Sequence, residues 1–134
     1  MFGLKWLVDH GTLQRERLDE YYSSYVAGIF RTLRFGTGEA HGRAQMMEFR
    51  YLTEQHALSY SAGRYVIDMA RIPAALTSLA HELLEIEAAG DRSRAEAWFA
   101  KYDRMPADLT KTLAATSDIP VDINPIFSFK DDVR

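Results

Sequence analysis

Apolar residues recur every three or four positions along most of the chain, a spacing that predicts a protein built mainly of helices. Leu4, Leu7 and Val8 share a short stripe that ends at Asp9-His10-Gly11, where glycine suits a left-handed helix stop. From Thr12 onward, Leu18, Tyr21, Tyr22, Tyr25, Val26, Ile29, Phe30 and Leu33 line one face of a long helix. Phe35-Gly36-Thr37-Gly38 interrupts it, and Thr37 or Gly38 is placed to cap a helix from about Glu39 to Gln55, with Ala40, Ala44, Met47, Tyr51 and Leu52 on one side. The period then changes to two. Leu58-Ser59-Tyr60 and Tyr65-Val66-Ile67 flank Ser61-Ala62-Gly63-Arg64, which predicts a small β-hairpin. Two strands alone are marginal in water, so this hairpin must lean on a neighbour.

Helical spacing returns near Ile72-Pro73, with proline in the first turn where its missing N–H costs nothing. Leu76, Leu79, Ala80, Leu83, Leu84 and Ala88 are the expected buried face, and Gly90 ends the helix. Ser93-Arg94-Ala95-Glu96 has the capping-box pattern, and Asp91 is an equally good cap, for a helix through Trp98, Phe99 and Tyr102. Met105-Pro106 opens a short helix carrying Leu109 and Leu113. Apolar residues from Ile119 to Phe127 alternate around Pro120 and Pro125, so this stretch is expected as an extended strap on a hydrophobic groove. One unit is expected over residues 1–127, with 128–134 a frayed polar tail. The opening in mid-helix suggests a segment of something larger.

A length of 134 residues is about one domain, and 47% hydrophobic with 26% charged residues is ordinary for a soluble globular chain. The formal charge of −3 argues against a nucleic-acid backbone as main partner, because that affinity comes mostly from Lys and Arg. The absence of cysteine excludes a disulfide framework, a thiol nucleophile and cysteine-bound metal, and fits the cytoplasm. Apolar runs are short; Lys5 interrupts the first and Asp9 closes it, so no membrane partner is expected.

Two local patterns could carry chemistry. His81-Glu82-Leu83-Leu84-Glu85 begins like the His-Glu-x-x-His helix of zinc peptidases, with Glu85 where the second histidine would stand. A His–Glu pair at this spacing can hold metal, and it is equally what an ordinary solvated helix face carries. The second pattern is Glu39-Ala40-His41-Gly42-Arg43, in the first turn of a helix after a glycine-bearing break. Unpaired N–H groups and partial positive charge gather at such a helix start, so His41, with Glu39 and Arg43 beside it, could bind a carbonyl or carboxylate. The bland alternative is a surface histidine between surface ions. His10 and His56 fall at helix ends, where a capping role is the default. No phosphate-binding glycine loop and no nucleophile elbow is present.

The order of segments adds a resemblance. Phe30-Arg31-Thr32-Leu33-Arg34-Phe35-Gly36, Glu39-Ala40-His41-Gly42-Arg43-Ala44, Phe49-Arg50-Tyr51-Leu52, the hairpin, the run from Leu83 to Asp91 and the closing Ile119-Pro120-Val121-Asp122-Ile123-Asn124-Pro125 together resemble the C-terminal part of bacterial zinc hydrolases of the dipeptidyl peptidase III family. The resemblance implies a mainly α segment of a larger catalytic lobe, with one small hairpin and the strap, in a two-lobed cytosolic metallopeptidase that removes dipeptides from peptide N-termini. It implies that the zinc site, a His-Glu-x-x-Gly-His helix plus a Glu from a following helix, lies upstream, so that this chain holds no cofactor while the parent enzyme holds zinc. It makes the missing N-terminal part of the same enzyme the expected partner and a peptide the expected substrate. His41 matches the family histidine that faces the cleft and grips the substrate carbonyl. Where the best-known members place an arginine one turn later, this chain has Gln45. The competing expectation is a free-standing helical module that self-associates or binds a partner protein through surplus apolar faces.

Overall fold

In a computed structural model that describes residues 1–120 and Ile126, the apolar stripes of two helices meet in the core. They belong to α2 (Leu18–Leu33) and α3 (Ala40–Glu54), which make the most extensive helix–helix packing in the chain. Around them run α1 (Phe2–Asp9), the hairpin strands β1 (Leu58–Ser61) and β2 (Arg64–Ile67), α4 (Ile72–Ala89), α5 (Arg92–Tyr102) and α6 (Ala107–Ala114). The fold is mainly α with one hairpin, as the spacing predicts.

The core follows from which stripes find partners. Val26, Ile29 and Leu33 of α2 pack against Met46, Phe49 and Leu52 of α3, and Ile72, Ala75 and Leu76 of α4 with Leu109 of α6 close the cluster. A second cluster joins Met47 and Tyr51 of α3 to Leu79 and Ile86 of α4 and to Trp98 and Tyr102 of α5. The Tyr51 and Ser78 hydroxyls meet at 2.9 Å across α3 and α4. Lys101 Nζ donates to Glu54 Oε1 at 2.6 Å and ties α5 to the end of α3.

The hairpin pairs Leu58 with Ile67 and Ser61 with Arg64 in antiparallel register, around Ala62 and Gly63, both at positive φ (50° and 79°). That is the backbone a two-residue hairpin turn of right-handed twist requires. The hairpin leans on the core through Leu58 and Tyr65, and Tyr65 Oη donates to Asp108 Oδ2 on α6 at 2.8 Å.

Several expectations are corrected here. Leu83, Leu84 and Ala88 do not form the buried face of α4: Leu83 is 40% and Leu84 62% exposed, and Ile86 is buried instead. The reason is tertiary: the first half of α4 packs closely on α3, whereas in its second half Leu83 borders open grooves beside α3 and Ile86 packs with α5. Neither Thr37 nor Gly38 caps α3; Glu39 stands at the N-cap with extended backbone, and no side chain caps the turn. Of the two candidate caps for α5, Asp91 is used, its carboxylate accepting from the Arg94 N–H at 2.9 Å. His56 ends α3 through its backbone: it takes a left-handed conformation (φ 55°), and the Ala57 N–H reaches the Leu52 carbonyl at 2.9 Å. His10 Nδ1 lies 2.8 Å from the Trp6 carbonyl oxygen at the end of α1. Ile119 and Pro120 of the expected strap are exposed, whereas its residues 121–125 and 127, like the tail 128–134, lie outside the described residues. No described helix is long and apolar enough to cross a membrane.

Candidate functional site

The site grows from a glycine contact. α2 ends at Leu33, and the chain reverses through Gly36, whose φ of 93° is a conformation that side-chain-bearing residues rarely adopt. The Gly36 carbonyl then sits against the Cα of Gly42 in α3: a Cβ built on Gly42 would lie 1.9 Å from that oxygen. Two glycines therefore fix how closely α3 starts against the end of α2, and they fix the position of His41, the residue before Gly42.

His41 is exposed and lines a groove of about 660 Å³ between α2 and α3, with Ser24, Tyr25, Gly28, Thr32, Ala44 and Gln45. Small residues open this groove, because Gly28 and Ala44 leave backbone where larger side chains would fill it. Thr32 Oγ1 turns inward on its own helix and donates to the Gly28 carbonyl at 3.0 Å. The His41 ring makes no hydrogen bond or ion pair among the described residues, so both ring nitrogens remain available to a bound molecule.

Glu39 and Arg43 do not join His41 in one cluster. Arg43 lies two residues on, roughly 200° around the helix, and is committed to α5: its Nε donates to Asp103 Oδ2 at 2.7 Å and its guanidinium stands 5.1 Å from the Phe99 ring centre. Glu39 is exposed, and its backbone carbonyl accepts from the Arg43 N–H at 3.0 Å. Its carboxylate lies in the favourable field of the helix start without capping it.

Sequence reasoning named Gln45 one turn after His41 but missed the acid that continues this face. Gln45 lies one turn further and its Nε2 donates to Glu48 Oε2 at 2.8 Å. Glu48 borders two further grooves, of about 350 and 210 Å³, shared with Leu79 and Leu83. Burial in these apolar walls pushes its carboxyl up to about 7, and the positive amino terminus of Met1 acts against that rise. The available signal was an acid between Met47 and Phe49, inside an otherwise apolar stretch.

The His81–Glu85 pattern resolves as a surface pair. Its Nε2–Oε1 separation is 3.2 Å on an exposed face, and Glu85 is shared with Arg94, whose Nη2 donates to it at 3.0 Å. The Arg94 hydrogen bond and the nearby His81 lower the Glu85 carboxyl below its usual range. Among the described residues no three His, Asp or Glu side chains gather as a metal site. These donors do not fit a catalytic zinc.

Comparisons with known proteins agree with the architecture. The chain superposes on DPP III from Caldithrix abyssi with a TM-score of 0.89 and 31% identity, over 94% of its own length and 24% of that chain. This chain has the fold of a segment of dipeptidyl peptidase III. The dipeptidyl-peptidase III of Corallococcus sp. strain EGB gives a TM-score of 0.85 and 34% identity, over 92% of this chain and 23% of that one. In sequence the chain is 36% identical over 130 residues to Nudix hydrolase 3 of Arabidopsis thaliana, which covers 95% of this chain and 17% of the plant protein. The chain thus spans about a quarter or less of each relative. No family model matches.

Proposed function

We infer that this chain forms part of the wall of a peptide-binding cleft in a dipeptidyl peptidase III-like zinc hydrolase, with His41 holding the substrate carbonyl. What supports the reading is one observation: an unengaged imidazole on the first turn of α3 borders an open groove, in a fold shared with two dipeptidyl peptidases III over more than nine tenths of this chain. A protonated ring nitrogen there donates to the carbonyl oxygen, and the bond strengthens as that oxygen gains negative charge in the tetrahedral addition. The uncapped N–H groups at the start of α3 add partial positive charge in the same region. Glu39 and Arg43 act on this site from outside it, through the helix start and the α5 tether.

The zinc that such a hydrolase uses, which would polarise the scissile carbonyl and activate water, belongs in this reading to polypeptide outside this chain. The partner is that polypeptide, the substrate a short peptide and the compartment the cytoplasm. The test is a zinc titration against a chromophoric chelator together with a dipeptidyl-arylamide assay on the chain alone. No stoichiometric zinc and no turnover are expected; tight one-to-one zinc or measurable cleavage overturns the reading.

A second reading, a helical module that self-associates or binds another protein, is favoured by the exposed apolar side chains Phe2, Trp6, Leu83 and Leu84. Sedimentation over a dilution series separates the two, since only this module requires a concentration-dependent oligomer.

A further inference from the structure

Phe30, Arg31 and Arg34 at the end of α2 take no part in the His41 groove, which Thr32 borders from the other side of the helix, and they lie by a different one. A groove of about 460 Å³ runs between the end of α2, the hairpin turn and α6, lined among others by Phe30, Arg31, Arg34, Arg64, Tyr65 and Leu113. Its size is within the roughly 300–1,000 Å³ of small-molecule sites.

Two features characterise this groove. Its bed is aromatic: the Phe30 and Tyr65 rings stand 5.1 Å apart, and Phe49 supports both from the core side, 5.7 and 5.2 Å away. Its rim is cationic, with no counter-charge among the described residues. Most of the other described lysines and arginines, namely Lys5, Arg15, Arg17, Arg43, Arg71, Arg92, Arg94 and Lys101, are each paired with a carboxylate, while Arg50, Arg104 and Lys111 are not. Arg31, Arg34 and Arg64, contributed by two separate elements, have no carboxylate partner among the described residues. Arg34 is held in place by donating to the carbonyl oxygens of Thr116, at 3.1 Å, and Ile119. Arg31 and Arg64 are exposed and point their charge to solvent at the groove's edges. The nearby carboxylate, Asp108, is occupied by the Tyr65 hydroxyl at 2.8 Å.

In a chain with net charge −3, three guanidinium groups without a carboxylate partner among the described residues thus stand around an aromatic floor. Guanidinium groups favour carboxylate and phosphate through parallel N–H donors, and an aromatic bed favours a flat apolar body. From this juxtaposition we propose that the groove is a binding site for a small anion carrying an aromatic ring, an aryl carboxylate or an aryl phosphate. Arg31 and Arg64 grip the anion, and Phe30 and Tyr65 receive the ring. The site is independent of the peptidase reading, because it shares no lining residue with the His41 groove.

The test is a titration of the isotope-labelled chain, followed by amide chemical shifts, with phenyl phosphate and phenylacetate in parallel and with benzyl alcohol and inorganic phosphate as controls. The expected result is saturable shifts at Gly63, Arg64, Tyr65 and Thr112 to Thr116 with at least one aryl anion, and at least tenfold weaker binding of both controls. The tighter of the two aryl anions identifies the preferred head group. Arg31→Gln and Arg64→Gln, at exposed positions, should each weaken binding about tenfold, leaving the remaining spectrum unchanged. Shifts that fail to saturate, affinity equal for inorganic phosphate and phenyl phosphate, or binding unaffected by the double variant would each overturn the proposal.

Discussion

The inner face of α3 and the far half of α4 both carry large apolar side chains and meet different fates. Phe49 and Leu52 are 1% and 0% exposed, enclosed by α2, the hairpin and α4, whereas Leu83 and Leu84 stand 40% and 62% in solvent. Helical periodicity is local and reports which residues share a face; burial also requires another element to arrive there. α3 has neighbours on nearly every side because both the tight Gly36 reversal and the hairpin fold back onto it. α4 runs eighteen residues, outlasting the body it packs on, and only Ile86 of its second half finds a cluster, with Trp98 and Tyr102. The difference separates a region whose sequence is committed to this chain's own core from one whose apolar surface remains available to other polypeptide. It also matches the share of the solved relatives that this chain represents, about a quarter.

The sharpest way to break the comparison is to remove a side chain from the enclosed region. Phe49→Ala deletes a ring that touches both Phe30 and Tyr65, and a loss of about 3–5 kcal/mol is expected in urea or thermal unfolding. Gly42→Ala comes next. Its new methyl meets a backbone carbonyl that cannot rotate away, so a loss of about 2–3 kcal/mol is expected, with displacement of His41 visible in the histidine ring signals.

Glu48 lies between the two regions, and its effect depends on pH. Its folded-state value of about 7 exceeds the ordinary 4.5, so the folded chain binds a proton more tightly than the unfolded chain does. Stability from this group is therefore full below about pH 4.5 and is lost as pH rises to about 7, a fall of roughly 2 kcal/mol once partial solvent access is allowed for. Glu48→Gln should flatten that slope in unfolding curves taken from pH 5 to 8. The smallest effect belongs to the outer face: Leu84→Ser should change stability by under about 0.5 kcal/mol, while reducing binding of a hydrophobic dye. A loss comparable to that of Phe49→Ala would show that the far half of α4 belongs to the core.

Much of this molecule was legible in the sequence, and what was not has a common cause. The helices, the Ser61–Arg64 turn and the stop at Gly90 are set by spacing and by residues with restricted or permissive backbones, all local properties. The pairing of Arg43 with Asp103 joins positions sixty apart in the chain and leaves no local trace, so Arg43 reads in sequence as a neighbour of His41 and in space as an anchor for α5. Glu48 was passed over because an acid amid apolar residues reads as a solvated break until its walls, Leu79 and Leu83, arrive from another helix. His81 shows the converse: a zinc-like spacing on one helix means little until a third ligand converges, and Arg94 converges instead, leaving the solvated surface pair that the sequence also allows.

The account depends most on His41 acting toward substrate rather than toward the fold. The decisive measurement is dipeptidyl-arylamide hydrolysis by a polypeptide in which this segment replaces the aligned quarter of the Caldithrix abyssi enzyme, compared with the same polypeptide carrying His41→Ala. A fall in kcat of about 10²–10³-fold, with KM and melting temperature little changed, is the predicted result. An unchanged kcat in a variant that remains folded would contradict it.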